Sequence, residues 1–394
     1  MPIAGKRIER PCAGLLSAVF LILALDPGAG RAMEPGIARL ADKGLTCLYN
    51  LEFNPAMAVF EELRRTYPGH PAGSALMATA TWWQARYWFA KPDEAASASM
   101  ELHLKEAIAL ARKLADKPGS ACEGGFFLGA TLGIKAYWDM IQNKWVRAVL
   151  DSREAVEILK PVLSCTEFAA EASFGLGIYE YHAARLPWHL KWLSSFLVSD
   201  MTDKQNALVR FRFAAEHSRY MRNDAQGTLA LIHALYDPDP PSAVRYASLL
   251  AAERPDSPMA HGLLIQALAV SGRWEEALRM ADRLISRDAG FASESATYRY
   301  WKGIALLGLK RPEEARENFS MAIVSPGRLP WITASYFKRG CAYDLLGKRK
   351  EAKADYVTVL KRPDPWNEGR RARTYLSRRF TWDDFPREIS PRGL

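Results

Sequence analysis

Gly272-Arg273-Trp274-Glu275-Glu276-Ala277-Leu278, Lys310-Arg311-Pro312-Glu313-Glu314-Ala315-Arg316 and Gly347-Lys348-Arg349-Lys350-Glu351-Ala352-Lys353 are one pattern written three times. Each opens as a turn, turns charged and ends on an alanine that starts an amphipathic stretch. The alanines are spaced 38 and 37 residues apart, and Ala243 lies 34 before the first of them. A period of this length in helix-forming sequence marks stacked helical hairpins.

Working outward, the alanines head a stripe at i, i+4 and i+7, which is one face of a helix. Ala56, Phe60, Leu63 and Pro68 have this spacing, as do Ala243, Ala247, Leu250 and Pro255. Ala277, Ala281 and Leu284 keep it without the proline. Ala315, Phe319 and Ala322, then Ala352, Tyr356 and Val359, keep it with Pro326 and Pro363 one residue early. A small residue on the stripe lets two antiparallel helices approach. The proline ends the second helix, because it donates no backbone hydrogen bond and restricts the residue before it. Gly44, Gly303 and Gly340 are the small residues of the matching first helices.

On these residues the chain resembles the tetratricopeptide repeat (TPR) family over roughly residues 36–68 and 224–363. The resemblance implies an all-α, right-handed α-solenoid, here of about eight antiparallel hairpins. Residues 33–223 hold irregular units with longer helices, and 224–380 hold the regular repeats and a capping helix. Residues 381–394 form a tail, expected to be mobile. An apolar insertion, 186–202, includes Pro187, Trp188, Leu190, Trp192 and Phe196. It is read as a loop folded back on the solenoid, a lid over a groove, or a membrane-touching patch.

The net charge is +9, concentrated after Lys338 and at the N-terminus, with a near-neutral body between. That distribution argues against a broad nucleic-acid face. Residues 1–32 have the order of an export signal: Lys6, Arg7 and Arg10, an apolar run Ala13–Leu25, then Gly30 and Ala32 at the expected cleavage point. Thirteen apolar residues fall short of the roughly 20 that span a bilayer. An uncleaved anchor is the alternative. Localisation is thus expected to be exported, periplasmic or in the cell envelope. Such a compartment permits disulfides. Cys122 precedes one helix of a hairpin and Cys165 follows the other, so both fall at the same end and are expected to pair. Cys47 and Cys341 lie inside first helices of remote units and are expected to stay free.

No catalytic constellation, metal cluster or phosphate loop is legible, and no cofactor is expected. The glycines 124, 125, 129 and 133 lack a preceding strand and a following Gly-Lys-Ser/Thr. Binding is therefore expected to reside in the concave wall, which the family resemblance assigns to first helices. Trp82, Trp83, Arg86 and Tyr87, then Lys135, Tyr137 and Trp138, then Tyr179, Tyr181, His182 and Arg185, are the candidate ligand-binding residues. Aromatic and arginine side chains dominate binding hot spots. The expected role is an adaptor or scaffold for a protein or peptide partner, with peripheral envelope contact possible. The alternative is a carrier for a small or lipid-like ligand in the aromatic middle units.

Overall fold

A computed structural model describes residues 33–88, 94–185, 204–286, 294–325, 329–364 and 366–389, with side chains described at all but 86–88 and 329. The segment read as an export signal and the 186–202 insertion lie outside the described residues. The described chain is helical throughout. Its first hairpins are α1 (Pro35–Tyr49) with α2 (Phe53–Thr66), α3 (Ala72–Trp88) with α4 (Glu94–Ala115), and α5 (Ala121–Ile141) with α6 (Trp145–Val162). Next come α7 (Ala169–Ala184) with α8 (Lys204–His217), and α9 (Arg222–Leu235) with α10 (Pro240–Glu253). The last three are α11 (Pro258–Val270) with α12 (Trp274–Ile285), α13 (Ser295–Gly308) with α14 (Pro312–Val324), and α15 (Leu329–Leu345) with α16 (Arg349–Leu360). Helix α17 (Glu368–Ser377) and a single 3-10 turn, Phe385–Glu388, cap the stack.

The repeated turn has one backbone solution. Leu51, Asn143, Gly272, Lys310 and Gly347 all have φ between 60° and 76°. At each, the next amide donates to a carbonyl five residues back, as Arg273 N does to Leu268 O and Arg311 N to Leu306 O. This is the left-handed helix ending that satisfies otherwise orphaned carbonyls. Three of the five are not glycine, so the turn is held against its own side-chain strain by the packing around it.

The small residues sit where the helices cross. Ala56, Ala243, Ala277, Ala315 and Ala352 are fully buried. A Cβ at Gly303 would lie 2.5 Å from the Phe319 ring, and one at Gly340 2.6 Å from the Tyr356 ring. Each glycine thus makes room for the aromatic of its own hairpin.

First helices pack on the first helices of neighbouring units: α1 on α3, α3 on α5, α5 on α7, and again from α9 through α17. Second helices are instead joined by long side chains, Arg64 to Glu106 at 3.5 Å and Arg112 to Glu154 at 2.6 Å. Close contact in one layer and bridged contact in the other curve the stack, with first helices inside.

The curve returns on itself. Helix α1 packs against α11. Arg254 donates to the Thr46 hydroxyl at 3.0 Å, and the Ser257 hydroxyl donates to the Tyr49 carbonyl at 2.6 Å. Arg219 pairs with Asp42 at 3.5 Å. Asp42, Thr46 and Tyr49 share one face of α1, which forms a clasp on the middle of the chain.

The C-terminal tail, expected to be mobile, is docked as far as residue 389. Phe380 and Phe385 are buried, the Phe385 ring lies 6.1 Å from Trp274, and Lys310 sits 3.8 Å over Trp382. Spaced aromatics without helical period find a surface here because the last repeat leaves an apolar face open.

Candidate functional site

The candidate residues divide by direction. Five inner-layer helices carry an aromatic in their last two turns or just past their end: Tyr49, Trp82 and Trp83, Tyr137, Tyr181 and His182, and Tyr236. Their rings touch in sequence. Tyr49 meets Trp83 at 5.4 Å between centroids, Trp82 meets Tyr137 at 5.8 Å, and Tyr137 meets His182 at 5.7 Å. Tyr181 then meets His182 at 6.2 Å and Tyr236 at 6.5 Å. Most contacts are edge-to-face, the arrangement that ring quadrupoles favour.

Polar groups fix this belt. The Tyr137 hydroxyl and His182 Nε2 share a hydrogen bond of 2.6 Å. Tyr181 donates to Asp237 at 3.1 Å, while Lys204 holds the other carboxylate oxygen at 2.6 Å. Burial raises the Tyr181 phenol above its ordinary range, so it stays protonated and a donor. Arg185 donates to the Tyr181 hydroxyl at 3.4 Å and lies over the Tyr181 and Tyr236 rings at 5.5 and 4.6 Å. His182 and Arg185 are exposed, and Trp82 and Tyr137 are half-buried. The exposed cation at the end of the belt is thus Arg185. Tyr236 was missed by sequence reasoning because it falls just after α9 instead of within it; its aromatic type at the end of a first helix was the available signal.

Other candidates point elsewhere. Trp138, expected on the groove, is 1% exposed and packs with Ala78, Met100 and Leu104 of α3 and α4. Adjacent residues on a helix lie about 100° apart, so Tyr137 and Trp138 cannot share one face. Lys135 is tied to Asp139 at 3.3 Å and to Asp151 of α6. Burial opposes its charge, but the Asp151 and Asp139 contacts win and raise its pKa. It is a strut between helices and no free groove cation. The Tyr179 hydroxyl is buried, and burial raises its pKa. The side chains of Arg86 and Tyr87 lie outside the described residues.

Cys122 and Cys165 are joined as a disulfide with Cα atoms 5.9 Å apart. It staples the start of α5 to the segment after α6. Cys47 and Cys341 are free, and burial pushes the Cys341 thiol up to about 12.

No family model matches the chain, and no curated protein matches it. Among solved structures it is similar to yeast Tom70, with 11% identity over 86% of this chain and 88% of that one, at a TM-score of 0.39. It is also similar to the APC/C hetero-tetramer Cut9-Hcn1, with 16% identity over 84% of this chain and 67% of that one, at a TM-score of 0.31. The architecture is an all-α stack of antiparallel hairpins of the tetratricopeptide type, with small residues at the helix crossings.

Proposed function

We propose that this protein is an exported, non-catalytic scaffold that binds a protein or peptide segment along the belt formed by Trp82, Tyr137 and His182, backed by the buried Tyr181 and with Arg185 at its end. The observation that carries this is continuity. Rings from three successive first helices touch without a break. Arg185 is held over two ring faces and is paired with no carboxylate among the described residues. A guanidinium already oriented on aromatic surfaces loses little freedom when a ligand arrives. An extended polypeptide can lie along such a strip, placing apolar side chains beside the rings and an acceptor on Arg185. Export is supported by the order of charge, apolar run and small residues in 1–32, and the Cys122–Cys165 bond suits an oxidising compartment.

The test is affinity capture from the native cell envelope with wild type and with Tyr137→Ala/Arg185→Glu, followed by mass spectrometry. A partner held by wild type and lost by the variant, at equal melting temperature, is the expected outcome. An identical set of captured proteins would overturn the assignment of the belt.

A further inference from the structure

The corner between α5 and α6 carries an apolar surface that the belt does not use. Met140 and Ile141 end α5, Trp145 and Val146 start α6, and Leu150 follows one turn later; all are exposed, Trp145 by 56% and Val146 by 75%. Leu102 of α4 joins them. The ion pairs Glu101–Lys144 and Arg112–Glu154 set α4 alongside α6 in register, which places Leu102 level with Trp145. Other exposed large apolar residues on the described chain come at most two to a helix, as Val209 with Phe213, Met321 with Val324 and Val357 with Leu360, whereas these six gather at one corner. Monomeric proteins rarely leave such a cluster uncovered without a use for it.

Shape and charge choose the occupant. Asn143, Lys144, Trp145, Val146 and Arg147 line a shallow, open surface, not a groove deep enough to receive a helix. In the turn 143–147 there are two cations and no carboxylate. Lys144 is committed to Glu101 at 3.5 Å and Asp139 at 3.9 Å. Arg147 is exposed and held by no carboxylate among the described residues. A two-fold contact between copies would set the patch against itself and Arg147 near its own mate. A bilayer interface accommodates a shallow, open corner. Its headgroup level suits tryptophan, its acyl boundary suits Val146, Ile141 and Leu150, and anionic headgroups attract arginine.

We propose that the Met140–Leu150 corner docks the protein peripherally on an anionic lipid surface, with Trp145 and Val146 entering the interface and Arg147 meeting headgroup phosphate. The probe is a set of vesicles of phosphatidylcholine alone or with one quarter phosphatidylglycerol, mixed with the full chain. Wild type should float with the anionic vesicles, and Trp145→Glu/Val146→Glu should weaken binding at least about tenfold, the loss of two buried apolar contacts. Arg147→Gln should reduce the preference for anionic over neutral vesicles. Brominated lipid should quench a component of tryptophan emission that Trp145→Phe lacks; this readout reports the corner itself, whatever the N-terminal segment contributes. The control Leu360→Glu, at an exposed apolar site elsewhere, should bind as wild type. Unchanged binding and quenching in the corner variants would overturn the proposal. So would concentration-dependent dimerisation that the double variant abolishes without vesicle binding by wild type, which would make the corner an interface between copies.

Discussion

The phenol of Tyr49 donates to the carboxylate of Asp224, 175 residues along the chain, and ties α1 to α9. The same ring lies 5.0 Å under the Arg254 guanidinium and edge-on to Trp83 of the belt. Tyr49 thus joins the clasp to the candidate site. Tyr49→Phe keeps the ring and removes the donor to a charged acceptor, so it should cost about 1.5–3 kcal/mol of stability. Urea unfolding checks this; an unchanged midpoint would mean the clasp bond contributes nothing.

Tyr137 and Trp138 are sequence neighbours with opposite expected behaviour. Trp138→Ala empties a core site between α3 and α4 and should cost about 3–5 kcal/mol, with partner binding per folded molecule retained. Tyr137→Ala should be milder in stability and should lose the partner. Parallel denaturation and capture assays decide it; equal effects from the two would erase the distinction between core and belt.

The Cys122–Cys165 bond closes a loop of sequence separation 43. In the chain-entropy account such a loop stabilises by about 4 kcal/mol, less any native strain. Cys122→Ser/Cys165→Ser should therefore melt well below wild type. Thiol titration of denatured protein should find two more thiols after reduction than before.

Lys338 is buried, and its ammonium donates to the Glu388 carbonyl, with the Glu388 carboxylate 3.7 Å away. Removing residues 381–394 strips both partners. An uncompensated buried charge costs about 3–5 kcal/mol, so the truncation should lower the melting temperature by many degrees. A melting temperature equal to wild type would show that this end contributes no stability.

Burial pushes the Glu368 carboxyl up to about 8, despite Arg371 at 3.1 Å. The folded state thus holds this proton more tightly than the unfolded chain. The stabilisation is complete below the unfolded value near 4.5 and is lost as pH rises through about 8. The stability of wild type minus that of Glu368→Gln should fall across this window. Urea titrations at several pH values measure it, and a flat difference would contradict the assignment.

The hairpins were legible because their signals are local. An alanine at 277, 315 or 352 meets residues one or two turns away, and the turn residues recur with them. The facing of α5 was not legible, since apolar residues surround that helix and its rotation is set by neighbours on both sides. Phe126, Leu132 and Trp138 are all buried there. The clasp was beyond reach for another reason. Whether Tyr49 meets Asp224 depends on the summed tilt of the three intervening hairpins, and no window of sequence carries that sum. Phe380, Trp382 and Phe385 do carry a local signal: three aromatics in a short charged segment argue for docking.

A linear stack whose contacts join only adjacent hairpins can fray from either end, one unit at a time. The clasp removes that freedom from one end. With Asp42, Thr46 and Tyr49 anchored to Arg219, Arg254 and Ser257, the first hairpin cannot peel away until the fifth and sixth release it. Amides of α1 should then exchange with solvent as slowly as those of α9, and the N-terminal half should open as one cooperative block.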